Sequence, residues 1–367
     1  MHYHFRHQHW QTYVLNLLNN LIRRVFTRNL FISLKLSLKA LSKLSLKSPK
    51  TALLVLALLL LSSSWDVQAN GKKARASNRS DAIIIPSAVI NYVRPNLFWG
   101  NGKYAGPADI WNQNKGFLVQ SVNPESYNQN FPTTGAYNLY FDLLITGIEP
   151  EELTWEPVTH EGITATVTNV VAREWWIPYE DLGQVVARVK LTGPEARNQW
   201  DNPNPRRITV PRLPQTFELV GRDRDGVEVV KYGFVLRQWF VSRWQDLWGD
   251  IFSNQTKWCN SLSYRLPQVR DLTNAKCGMY TSFPCINGID NVTSSSSDNI
   301  HQRRIGNGFF TEWGPITYYA DAGFANTYFW TSDVGAYRGD QFLVSSGGGS
   351  VISSGASYRY YTVCTAP

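Results

Sequence analysis

Between residues 81 and 235 separate short runs place apolar side chains at every second position, and no stretch sustains a helical period. In 136–144, AYNLYFDLL, Tyr137, Leu139, Phe141 and Leu143 fall on one face. In 162–171 Ile163, Ala165 and Val167 alternate with threonines, and in 184–191 Val185, Ala187, Val189 and Leu191 alternate with polar or charged neighbours. A period of two puts one face of each segment in a core and the other in water, which is the signature of half-buried strands. The β-branched run 83–93 adds another, and Asp225-Gly226 marks a hairpin between strand-like flanks in 222–230. Short strands joined by Gly, Pro and Asn turns predict an antiparallel β-sandwich over 81–228. The five prolines of 193–214 mark a long surface connection.

The pattern changes after that. YGFVLRQWFV (232–241) reads as one strand, while 246–262 and 266–275 can each make a short helix, the second with Pro267 at its first helical position. Arg265 falls at the corner between them. IGNGFFTEWG (305–314) reads as a glycine-spaced aromatic turn, and 328–333, 341–346 and 358–365 as further strands. The second module is expected to span 229–367, so the fold class is mainly β with short helices (α+β).

The first 69 residues stand apart. They hold nine Lys/Arg and one acid, Asp66, and so carry the whole +8 charge; the remaining 27 basic and 27 acidic residues cancel. The basic pI therefore gives no reason to expect nucleic-acid binding by the body of the chain. Ala52–Leu61 is a ten-residue apolar run, too short for an ordinary membrane span of about 20 residues. Val67 and Ala69 stand at the positions a signal peptidase reads, so export with cleavage after Ala69 is expected, followed by a flexible linker over 70–80. Lys35, Lys39, Lys43 and Lys47 form one stripe of a basic helix that can meet a membrane before cleavage; no other membrane contact is expected. All four cysteines, Cys259, Cys277, Cys285 and Cys364, lie beyond the leader. In an exported chain they imply two disulfides, with three possible connectivities.

YGFVLRQWFV (232–241), WCNSLSYRLPQVRDLTNA (258–275), RRIGNGFFTEWG (303–314), FWTSD (329–333), QFLV (341–344) and the final VCTAP, in that order, resemble the adhesion domain of invasin E-type proteins, relatives of invasin and intimin. NFPTTGAYNLYFDL (130–143) is similar, more weakly, to the immunoglobulin-like half that precedes it in that family. The resemblance implies a C-type lectin-like second module with Cys259 paired to Cys364 and Cys277 to Cys285. It also implies attachment to a cell-surface protein or glycan receptor, and reads the chain as an adhesive tip without the family's membrane barrel.

The contact surface is then expected in the irregular stretch 285–312 and the turn 333–341, with Arg303, Arg304 and Trp313 as candidate receptor-binding residues; the competing readings are a solvated loop pair for Arg303 and Arg304 and, more readily, a core side chain for Trp313. Arg338-Gly339-Asp340 adds Arg338 and Asp340 and invites an integrin reading, against which chance occurrence of the tripeptide weighs. Trp330-Thr331-Ser332-Asp333 stands where calcium-dependent lectins of this fold place Trp-Asn-Asp, and their proline loop tripeptides are missing, so neither metal nor cofactor is expected. The exposed-aromatic alternative is calcium-independent glycan binding, with EWW (174–176) among its carriers. An enzyme of the formylglycine-generating type shares the Arg-Leu-Pro helix start but needs a late reactive cysteine pair, and the two histidines outside the leader, His160 and His301, fall in different modules. No catalysis is expected.

Overall fold

The structure is a computed structural model that describes residues 88–244, 249–276, 296–319, 321–335 and 339–366. Among these residues nine strands precede residue 193: β1 (Val89–Arg94), β2 (Trp111–Asn112), β3 (Gly116–Leu118), β4 (Thr134–Ala136), β5 (Tyr140–Thr146), β6 (Thr154–Trp155), β7 (Val158–His160), β8 (Ile163–Val171) and β9 (Val185–Thr192). Then come β10 (Gln215–Arg222), β11 (Glu228–Leu236), β12 (Gln238–Arg243), three short helices, α1 (Phe252–Ser261), α2 (Val269–Leu272) and α3 (Phe309–Trp313), and finally β13 (Tyr328–Val334), β14 (Asp340–Ser345), β15 (Val351–Gly355) and β16 (Thr362–Thr365). The chain is mainly β with short helices, as the alternation dictates.

An antiparallel sheet ordered β2-β3-β1-β5-β9-β8-β7 faces a second, β11-β10-β6. Leu139, Phe141 and Leu143 are buried as their spacing requires, and Phe141 meets Tyr232 and Phe234 of the opposite sheet. The Asp-Gly hairpin is present: Gly226 has φ +79°, and the Asp223 carboxylate accepts from the amides of Asp225 and Val227.

The run 232–241 is two strands rather than one. At Arg237 the chain turns out of the sandwich, with the amides of Arg237 and Gln238 both donating to Thr133 O. It then enters a third sheet, β16-β12-β4, in which β12 runs parallel to β4 from the first half of the chain. A shared strand and one continuous apolar core, reaching from Ile90 to Ala366, tie the regions before and after residue 229 together.

The order expected of a lectin-like module is present: helix, helix, irregular segment, tryptophan strand, closing strand. α1 buries Trp258 and Cys259, and Cys259 is bonded to Cys364 of β16 with Cα atoms 5.4 Å apart. Closing a loop of 105 residues removes denatured-state entropy worth about 4–5 kcal/mol in the chain-entropy picture. Cys277 and Cys285 lie outside the described residues. α2 begins at Val269, not at Pro267. The Pro267 carbonyl accepts from Ser332 N at 2.8 Å, which keeps it extended against β13, and Gln268 caps the helix in a reciprocal box with Asp271. The aromatic turn 305–314 is a helix, α3, bounded by Gly308 at φ +104° and Gly314 at φ +69°, left-handed values that suit only glycine. No helix among the described residues is long and apolar enough to cross a membrane.

Candidate binding surface

The expected contact stretch is largely interior where it is described. Arg303 is fully buried. Its Nη1 donates to Glu312 O at 2.8 Å and Thr311 O at 3.4 Å, its Nη2 donates to Asn96 O and to Phe98 O at 3.1 Å, and its plane lies 4.7 Å from the Trp111 ring. Burial lowers its pKa to about 10, so it remains a cation at neutral pH, solvated by carbonyl dipoles in place of water. Trp313 is equally buried, packed on Phe131 and Phe141 and donating to Thr134 O at 3.0 Å. Neither can touch a receptor. A fixed guanidinium fork reaches carbonyls on two segments at once, and this is what makes Arg303 a core residue. Arg304 is half-buried. Asp340 is half-buried at the start of β14, next to Gly339 at φ +91°, and Arg338 lies outside the described residues.

What Arg303 holds is the loop 96–104, and it has help. His301 Nε2 donates to Trp99 O at 3.2 Å, Trp111 Nε1 donates to Gly100 O at 2.6 Å, and the Arg303 amide donates to Tyr104 O at 3.0 Å. Five carbonyls of one nine-residue loop are thus turned inward onto fixed donors. Burial, with the Arg303 charge beside it, lowers His301 to about 3, so the imidazole is neutral and its Nε2 carries the proton. Trp99 sits at φ +51°, a conformation that a bulky L-residue adopts only when its surroundings impose it.

With the carbonyls held inside, the rings face out. Phe98 lies 4.9 Å from Trp99, 4.7 Å from Trp175 and 5.7 Å from Tyr318, Trp175 lies 4.9 Å from Tyr318, and Trp99 lies 4.6 Å from Tyr104. Trp175 is 58% exposed and Trp99 37%; the other three are half-buried. Five aromatic side chains make a continuous surface strip.

Trp175 reaches the strip from the β8–β9 connection, and a second polar network fixes that loop. Arg188 of β9 holds Glu174 and, through Nε at 2.7 Å, the buried Asp142 of β5. Arg94 of β1 lies 3.6 Å from the same carboxylate and donates to Asp181 at 2.6 Å. Glu174 and Asp181 are the two ends of the loop's anchor. Burial pushes the Asp142 carboxyl up, and Arg188 opposes the shift.

The sequence reading included Trp175 but missed Phe98, Trp99, Tyr104 and Tyr318. The signal was FWGNGKY (98–104): adjacent aromatics followed by glycines cannot both point into a core as an alternating strand would direct them. Among the described residues no group of three or more His, Cys, Asp or Glu is arranged to hold a metal ion. Glu312, the buried acid of α3, is wholly engaged: it accepts from the amides and hydroxyls of Thr133 and Thr134 and from Gly306 N.

No family model matches the sequence, and no curated protein matches it. Three solved structures are similar to it. Invasin, a bacterial integrin-binding protein, has a TM-score of 0.40 at 13% identity, over 65% of this chain and 36% of its own, so the chain spans about a third of its length. A C-terminal 282-residue fragment of intimin, in complex with the intimin-binding domain of the translocated intimin receptor, gives 0.38 at 9% identity, over 76% of this chain and 66% of its own. An EHEC O157:H7 intimin mutant gives 0.36 at 12% identity, over 70% and 92%.

Proposed function

We propose that the chain is an exported adhesion module that attaches to a cell-surface partner, with the aromatic strip Phe98-Trp99-Tyr104-Trp175-Tyr318 as its contact surface. One observation carries the reading. Two independent buried networks, one around Arg303 and one around Asp142, are spent on holding surface loops whose outward side is aromatic. Protein interiors rarely keep unneutralised cations, and contact surfaces gain from anchors fixed before binding, because less conformational freedom is then lost on association. The export signal read in residues 1–69 and the resemblance of 229–367 to an adhesion domain support the same reading. Buried His301, Glu312 and Asp142 are engaged with neighbouring main chain or side chains, which suits a scaffold better than a catalyst.

The test is saturable attachment of the labelled full chain to cultured host epithelial cells, competed by unlabelled protein. Trp175→Ala and Trp99→Ala are expected to remove most of it, the first leaving thermal unfolding unchanged and the second costing only the packing of its ring, about 1–2 kcal/mol. Attachment that survives both substitutions would move the contact elsewhere, first to the 333–341 turn, where Val334 is exposed. No saturable attachment at all would end the adhesion reading.

A further inference from the structure

Six tryptophans, Trp111, Trp200, Trp239, Trp258, Trp313 and Trp330, each donate the indole N–H to a backbone carbonyl. On the strip, Trp99 Nε1 and Trp175 Nε1, and with them the hydroxyls of Tyr104 and Tyr318, make no hydrogen bond within the described residues. The strip therefore offers fixed aromatic faces bordered by uncommitted N–H and O–H groups. Two acids of the Trp175 loop are paired internally, Glu174 with Arg188 and Asp181 with Arg94, while Glu180 is exposed, and the Lys103 ammonium stands 5.6 Å over the Tyr104 ring.

A ligand suited to this surface has flat C–H faces for the rings and hydroxyls around its edge for the free donors, and it needs no charge. A pyranose has that shape: its axial C–H bonds present an apolar face, while its equatorial hydroxyls accept and donate in the ring plane. Both exposed indoles pack on the one Phe98 ring, so they are near enough to hold neighbouring units of a single chain. Resting on the adhesion reading above, we infer that the partner is a neutral glycan, a chain of hexopyranose units with equatorial hydroxyls, stacked on Trp175 and Trp99 without any metal ion. A protein partner is the competing occupant. It would need the strip's donors to meet its own backbone or side chains.

The experiment uses the full chain on a panel of neutral hexose and N-acetylhexosamine oligosaccharides, alongside sialylated and sulfated ones, in EDTA. Neutral glycans are expected to bind, and titration calorimetry is expected to show affinity unchanged between low and high salt. Trp175→Ala and Trp99→Ala should each weaken binding roughly tenfold, the loss that truncating one aromatic anchor gives. Trp244→Ala, at an exposed tryptophan packed on Tyr361 and outside the strip, should leave it unchanged. Binding confined to acidic glycans and lost at high salt, or binding abolished by EDTA, would overturn the inference. Cells separate the two readings: Trp175-dependent attachment that persists after periodate destroys surface diols would sink the glycan partner and keep the adhesion module.

Discussion

Two loops meet in the aromatic strip, and they are held by opposite kinds of chemistry. The loop 96–104 hangs on a cation without a counter-ion: Arg303 faces four carbonyls and a tryptophan ring. The loop 172–184 hangs on a run of alternating charges, Glu174, Arg188, Asp142, Arg94 and Asp181. The first solution suits a loop whose own backbone must be gripped, because a guanidinium fork can take several carbonyls at once. The second suits a hairpin already closed by main-chain bonds, Ala172 N to Gln184 O and Gly183 N to Ala172 O, which needs only its tip oriented. A surface can thus be made rigid either by solvating a charge with the loop itself or by pinning side chains at its ends.

The sharpest way to break this contrast is Arg303→Met. It leaves up to four buried carbonyls unsatisfied and Trp111 without its partner, and the expected cost is about 3–5 kcal/mol in urea unfolding. Amides of 96–104 should lose hydrogen-exchange protection before those of 172–184. Arg303→Lys is expected to rescue little, since an ammonium cannot span both segments. A cost under about 1 kcal/mol would mean that the loop holds itself and that Arg303 merely occupies space.

Arg188→Met attacks the other loop. It removes the hydrogen bonds of Asp142 and frees Glu174, and leaves the buried carboxylate with Arg94 at 3.6 Å. A loss of about 2–3 kcal/mol is expected, with exchange accelerating in 172–184 and not in 96–104. Equal acceleration in both loops would show that the networks are one unit, and the comparison would collapse into a single rigid body.

His301 supplies a pH test that touches only the first loop. Its folded pKa, about 3, lies below the ordinary value of 6.5 because burial and the Arg303 charge both oppose protonation. The unfolded chain therefore binds the proton first. Stability is fully present above pH 6.5 and falls as pH drops toward 3, by about 2 kcal/mol at pH 5. His301→Gln, which keeps a donor for Trp99 O, should lower the slope of stability against pH between 6.5 and 5 by up to one proton. An unchanged slope would place the acid sensitivity in other groups.

The strands were legible because alternation is a local property: Phe141 is buried for reasons written within five residues of it. β15 was not, since VISSG follows a run of three glycines and has only one fully buried side chain, Val351, to mark a face. Arg303 was misplaced for a different reason. In an irregular segment no period tells inside from outside, and the groups that make Arg303 a core residue, Asn96 O and Phe98 O, come from more than 200 residues earlier. The pairing of Cys259 with Cys364 was legible only through resemblance; spacing left three connectivities open.

The smallest expected effect is the most diagnostic. Trp99 holds φ +51°, which costs a bulky residue about 1–2 kcal/mol, and that strain is relieved in Trp99→Gly. The substitution also removes packing on Phe98 and Tyr104 worth a similar amount. Net stability should change by less than about 1 kcal/mol, against roughly 3–5 kcal/mol for truncating a core tryptophan such as Trp313. Attachment should nonetheless fall as far as in Trp99→Ala. A residue kept in a strained conformation, nearly neutral for folding and needed for binding, belongs to the surface rather than to the scaffold. If Trp99→Gly is instead as destabilising as a core truncation, the ring is structural and the strip loses one of its two exposed indoles.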